Sequence, residues 1–159
     1  LVKAPKAQRL PDIVTVDQVS QILATTQVRS YRVLFFTLYS LGMRLGEGLR
    51  LTVGDIDTEH QRVHIRNAKG NKDRFVPLPE ATLVQLRAFW RLHRHSELLF
   101  PNRHGGLKGA ATASSPLDRG GVQQALKRAV NDCGIKKRSR RTAFVIHMPP
   151  ICWKPASTC

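Results

Sequence analysis

A chain of 159 residues with 42% hydrophobic side chains can bury a real core, which excludes a disordered or fibrous protein. No run approaches the ~20 apolar residues that a membrane span requires, and the opening "LVKAPKAQRLP" lacks the apolar segment of a signal peptide, so the cytoplasm is the default location. Against 11 acidic residues stand 26 basic ones, a net charge of +15 spread along the chain that favours a polyanion as partner, nucleic acid before a membrane surface.

Residues 1–13 carry two prolines and three basic side chains without periodicity and read as a linker arriving from something upstream. A helix follows, with Thr15 as N-cap and Gln18 three residues later, the pattern of a capping box. Val16, Val19, Ile22 and Leu23 form its expected buried stripe. In "SYRVLFFTLYSLG" the residues Leu34, Leu38 and Leu41 share a face, Gly42 supplies the stop, and the broad apolar character predicts a central core helix. A short helix from Arg44 then runs into an irregular turn at Gly54 and a short strand, Asp55 to Asp57.

A hairpin is predicted next. Val63 and Ile65 alternate with His64 and Arg66 in one strand, Phe75, Val76 and Leu78 lie in the other, and Gly70-Asn71 is turn chemistry. "PEATLVQLRAFWRLHRH" begins a helix with proline at its first turn and Leu83, Leu86, Phe89 and Trp90 spaced for one face. "PNRHGGLKGAATASSP" reads as a glycine- and serine-rich loop. A last helix starts after Asp118, turns Val122, Ala125, Leu126, Ala129 and Val130 inward, and is capped by Gly134. The order is mostly helical with one small antiparallel sheet, an α+β fold.

Three cysteines, Cys133, Cys152 and Cys159, are an odd number and argue against a disulfide framework, hence for a reducing compartment. Six histidines show no HExxH pattern, and His60 and His64, four apart, straddle a turn and a strand entry, so no metal site is expected. "KGNK" is not a phosphate-binding P-loop, and no GxSxG elbow is present. Two segments remain. Arg44 stands one turn before Glu47, whose carboxylate can hold the guanidinium as a phosphate clamp. Lys69 and Lys72 stand at the tip of the hairpin, where an ammonium can reach a phosphate or a leaving oxygen. Taken singly, the first also reads as a surface ion pair and the second as a solvated basic turn.

Together, "TLYSLGMRLGEGLRL", "DID", "AKGNKDRFVPLP" and "LLFPN", in this order and spacing, resemble the tyrosine recombinase (phage integrase) family over residues 11 to about 138. The resemblance implies DNA integration and recombination on double-stranded DNA, without metal, high-energy cofactor or small-molecule substrate. In such enzymes a tyrosine attacks the scissile phosphate to form a 3′-phosphotyrosyl bond, while two arginines and a histidine stabilise the developing charge. By motif position Arg44 would be the first arginine, Glu47 its positioning carboxylate and Lys69 the general acid, with Lys72 and Arg74 as backbone-phosphate contacts. It also implies a tetramer on DNA for the parent enzyme and a nucleoid-associated location.

The rest of the pattern departs. An HxLRH motif, a further histidine or tryptophan and a tyrosine should follow Gly134, but the only tyrosines are Tyr31 and Tyr39. The genetic code offers an account of the ending "TAFVIHMPPICWKPASTC". Read one base out of register from the Arg141/Thr142 junction, Met148 forces alanine whatever proline codon follows, Cys152 with Trp153 forces leucine, and Trp153 with Lys154 forces glutamate. Allowed choices elsewhere complete "HSLRHSYATHLLEAGLNL", which contains the missing motif. The expected organisation is therefore a linker (1–13), the major part of a recombinase catalytic domain (14–138) and an out-of-frame, disordered tail (139–159), the competing view being a genuine unpatterned tail. Such a chain should bind DNA but be inactive, with exposed apolar surface and a tendency to self-associate. A non-catalytic DNA-binding regulator that competes with full-length recombinases is the alternative.

Overall fold

The computed structural model describes residues 14–68, 72–104 and 106–135. Helix α1, Val16–Thr25, opens on the expected capping box: the Thr15 hydroxyl accepts from the Gln18 amide at 3.3 Å and the Gln18 side chain accepts from the Thr15 amide at 3.2 Å. Val19 and Ile22 are buried and Leu23 is half-buried. Val16 departs from the expected stripe, at 44% exposed. It stands at the end of α1 away from Thr25, whose hydroxyl meets Cys133, the C-cap of the last helix, so the packed stretch begins a turn later.

Helix α2, Arg29–Leu41, is the centre of the molecule. Val33, Leu34, Phe35, Thr37, Leu38 and Leu41 are all buried, which covers most of its circumference. Gly42 ends it with φ of 59°, a left-handed conformation in which its amide bonds back to the Leu38 and Tyr39 carbonyls. The chain turns there and enters the short helix α3, Leu45–Leu49. Gly48 lets α3 lie directly on α2, since a Cβ at that position would stand 2.5 Å from a Leu38 methyl.

A 3-10 turn, Val53–Asp55, leads into an antiparallel sheet of β1 (Ile56–Asp57), β2 (Arg62–Ala68) and β3 (Lys72–Pro77), in that order. Asp55, expected in the first strand, belongs to the turn: its carboxylate takes the Thr52 amide and hydroxyl and the Arg66 guanidinium. Val63 pairs with Val76 and Ile65 with Arg74, and Val63 and Ile65 are inaccessible on the inner face of the sheet. By strand alternation Phe75 falls on the outer face, 57% exposed and stacked on its partner His64.

Helix α4, Glu80–His93, follows Pro79, which sits at the N-cap, just before the first turn. Leu86 and Phe89 are buried, Leu83 and Trp90 half-buried, and Ser40 of α2 bonds Thr82 to fix the two helices side by side. The stretch expected as loop contains a further short helix, α5, Gly106–Ala110. Two glycines in five residues oppose a helix on propensity alone, so its formation is a tertiary effect, with Ala110 at its end buried. Helix α6, Arg119–Asp132, begins with the Asp118 carboxylate accepting from the Gly121 amide at 2.6 Å, turns Val122 and Ala129 fully and Ala125, Leu126 and Val130 partly inward, and closes at Gly134 with φ of 66°. One core joins α2, the end of α3, the inner face of β2, α4, Leu99–Phe100 and α6. The fold is α+β, mostly helical with one small antiparallel sheet, as the sequence indicates. Among the described residues no helix is long and apolar enough to cross a membrane. The linker at 1–13, Gly70-Asn71, Cys152, Cys159 and the tail at 139–159 lie outside the described residues.

Candidate functional site

Gly42 reverses the chain, buried Met43 anchors it, and Arg44 therefore emerges as the N-cap of α3 with its side chain 54% exposed. One helical turn on, Glu47 points back beneath it and is only 3% exposed. One Glu47 oxygen, Oε1, accepts from the Arg44 Nη1 at 3.0 Å, and the other, Oε2, accepts from the Arg44 amide at 2.8 Å. The carboxylate thus caps the helix and holds the arginine in one gesture. A carboxylate is suited to this: an alcohol would cap but leave the guanidinium unheld, and an amide would not compensate its charge.

The third partner comes from the hairpin. Arg74 lies opposite Ile65, hence on the inner side of the sheet, and its Nη2 donates to Glu47 Oε2 at 3.0 Å and lies 3.5 Å from the Gly42 carbonyl. Two guanidinium groups converge on one buried carboxylate, so the cluster carries one net positive charge and its cations, 54% and 42% exposed, meet the solvent. Such an arrangement receives an anion without first having to order its side chains. Lys72 opens β3 two residues earlier, exposed and paired in register with Ala68. Of the residues singled out by sequence, the fold thus brings Arg44, Glu47 and Arg74 together and sets Lys72 on the same strand as Arg74; Lys69 lies outside the described residues. The Arg74–Glu47 pair is the feature that sequence reading missed. Its signal was the alternation of β3, where Arg74 shares parity with the inward Val76 and Leu78.

A second charged cluster covers the outer side of the sheet. Asp57 accepts from the His60 amide, the His60 ring and Arg62, and these bonds, the His60 amide first, bring its pKa down to about 2. Arg62 lies 4.6 Å above the Phe75 ring, and His64 contacts both Phe75 and the Asp73 carboxylate. His60 and His64 are thus each engaged with a different carboxylate. Among the described residues no group of three or more His, Cys, Asp or Glu side chains is placed to hold a metal. Tyr31 and Tyr39 both lie on α2, half-buried, and Tyr31 stacks on Phe35.

The profile of the phage integrase family matches residues 12–148. The chain belongs to that family. It is 33% identical over 147 residues to y4qK of Sinorhizobium fredii, which carries a provisional integrase/recombinase name, covering 90% of this chain and 45% of that one. To tyrosine recombinase XerD of Staphylococcus aureus it is 28% identical over 165 residues, covering 93% and 52%. The chain thus spans about half the length of the curated relatives it matches. Among solved structures, XerA recombinase superposes with a TM-score of 0.64 at 18% identity over 86% of this chain and 47% of that one, which establishes the common fold. A lambda integrase tetramer bound to a Holliday junction superposes with 0.63 at 16% identity, over 86% and 38%.

Proposed function

We propose that this chain is the greater part of the catalytic domain of a site-specific tyrosine recombinase, and that it binds double-stranded DNA through the Arg44 turn and the β2–β3 hairpin. The observation that carries the reading is the pair of half-exposed guanidinium groups fixed by one buried carboxylate at the junction of α3 and the hairpin. In this reading Arg44 meets a non-bridging oxygen of the scissile phosphate, Glu47 holds it there, Lys69 delivers a proton to the leaving 5′ oxygen, and Lys72 grips the adjacent backbone. The parent enzyme would work as a tetramer on chromosomal DNA in the cytoplasm. The family match over residues 12–148 supports this reading over that of a dedicated non-catalytic regulator.

No HxLRH motif and no tyrosine follow Gly134 in the sequence, and we attribute this to a change of reading frame from roughly Ser139 onward. Resequencing the locus tests that attribution: codons that cannot yield HxLRH in the shifted frame would refute it.

Fluorescence anisotropy on a short duplex is the test of binding. Affinity should fall linearly on a double-logarithmic salt plot, and Arg44→Ala should weaken binding and reduce the slope by about 1. Binding that ignores salt, or an Arg44→Ala chain that binds like the parent, would contradict the reading. On a nicked duplex no covalent protein–DNA adduct should accumulate; its appearance would show that the chain carries a working nucleophile.

A further inference from the structure

We propose that Arg74 is a positioning residue: it fixes the Glu47 carboxylate, and through it the Arg44 guanidinium, so that the hairpin and the α3 turn are locked into one site. The inference rests on the reading of Arg44 as the phosphate contact, and it replaces a direct DNA contact with an indirect role for Arg74. Three observations support it. Arg74 lies on the inner face of β3, opposite the buried Ile65, so its side chain runs along the protein before reaching Glu47. Its Nη2 and the Arg44 amide share the same carboxylate oxygen, at 3.0 and 2.8 Å, which leaves Oε1 for the Arg44 guanidinium at 3.0 Å. And Glu47, 3% exposed, has no water-facing alternative.

A glutamate carboxylate rotates easily about its terminal bond, because that torsion has broad, nearly twofold wells. Without Arg74, both donors to the carboxylate belong to Arg44, the residue it has to hold: its amide on Oε2 and its own guanidinium on Oε1. A charged donor from another element, on the same Oε2, restrains the carboxylate independently of Arg44, and Oε1 then presents one direction to the Arg44 guanidinium. Because Lys72 stands two residues from Arg74 on the same strand, the same contact also sets the start of β3 relative to Arg44. The two basic elements identified in the sequence are in this way joined by a single carboxylate. Preorganisation of this kind matters for an anion site, since cations that must reorder on binding return less to affinity.

The experiment reads the Arg44 side chain directly. In DNA-free protein labelled with nitrogen-15, the Arg44 Nε–Hε order parameter should be that of a restrained group, and Arg74→Ala should lower it below about 0.6, with Arg74→Lys recovering part of the loss. Amide signals of the α2 core serve as the control for folding. If alanine unfolds the sheet, Arg74→Met keeps the aliphatic stem and should give the same loosening. An Arg44 side chain equally ordered in the Arg74 variants overturns the proposal. Duplex affinity separates it from the reading beneath it: Arg74→Ala should weaken binding about tenfold in the parent and less than about twofold in an Arg44→Ala background, a coupled pair. Equal losses in both backgrounds would make Arg74 a direct phosphate contact and also overturn the proposal. Should Arg44→Ala leave affinity untouched while Arg44 still loosens in Arg74→Ala, the positioning role stands and the phosphate reading alone falls.

Discussion

Glu47 illustrates how a site can be half legible from sequence. Its spacing from Arg44 announces a carboxylate able to hold the guanidinium, one turn along the same helix; the cap it also makes on the Arg44 amide appears only in the fold. That it also serves Arg74 depends on where β3 lies relative to α3, a tertiary fact. His93 and His95 are the converse case, two residues that sequence could only screen for metal-ligand spacing. In the fold they shape the turn after α4: His95 accepts from the Glu97 and Leu98 amides and donates to the Ala113 carbonyl at 2.8 Å, while His93 accepts from the His95 amide. The His93 Nε2 is buried without a hydrogen-bond partner among the described residues. Burial first, and the neighbouring His95 second, lower its pKa below the usual 6.5. The unfolded chain then takes up a proton before the folded one does. Stability attributable to His93 is therefore fully present above pH 6.5 and is lost as pH falls from there through the lowered folded value. Urea midpoints at pH 7.5 and 5.5 should show the lower pH destabilised; a midpoint that rises on acidification would contradict the assignment.

Among the elements, those with a local cause were the ones visible in advance. The capping box at Thr15 and the glycine stops at Gly42 and Gly134 are each decided within a few residues, so pattern sufficed. Helix α5 was not visible, because its two glycines argue for a loop and local pattern carries no sign of the tertiary surroundings in which Ala110 is buried. The exposed Val16 has the same origin: periodicity marks which face could be buried, and the extent of the neighbouring helix decides how much of it is. Gly42 is the joint on which the site depends, since its left-handed backbone both ends α2 and aims Arg44. Gly42→Ala should cost about 1 kcal/mol, from the strain of a side chain in that conformation rather than from a clash, because nothing lies within 4 Å of the position a Cβ would take. Chemical unfolding measures it, and an alanine variant as stable as the parent would show that the turn tolerates another geometry.

At the scale of the molecule, a net charge of +15 surrounds one apolar core, and the basic excess that first suggested a polyanion resolves into distinct roles. Arg66 and Arg62 are engaged by Asp55 and Asp57 on the sheet, while Arg44 and Arg74 outnumber their shared Glu47 and leave positive charge at the surface. Composition could count these groups; only the fold sorts them by what they face. The family match across residues 12–148 and the fold shared with XerA recombinase place the cluster in a domain of known architecture. Amide chemical-shift mapping of the labelled chain with a short duplex locates the DNA-binding surface. The account predicts that perturbations converge on Arg44–Leu49 and on Lys72–Arg74; shifts confined to α1 and α6, with the Arg44 turn unmoved, would contradict it.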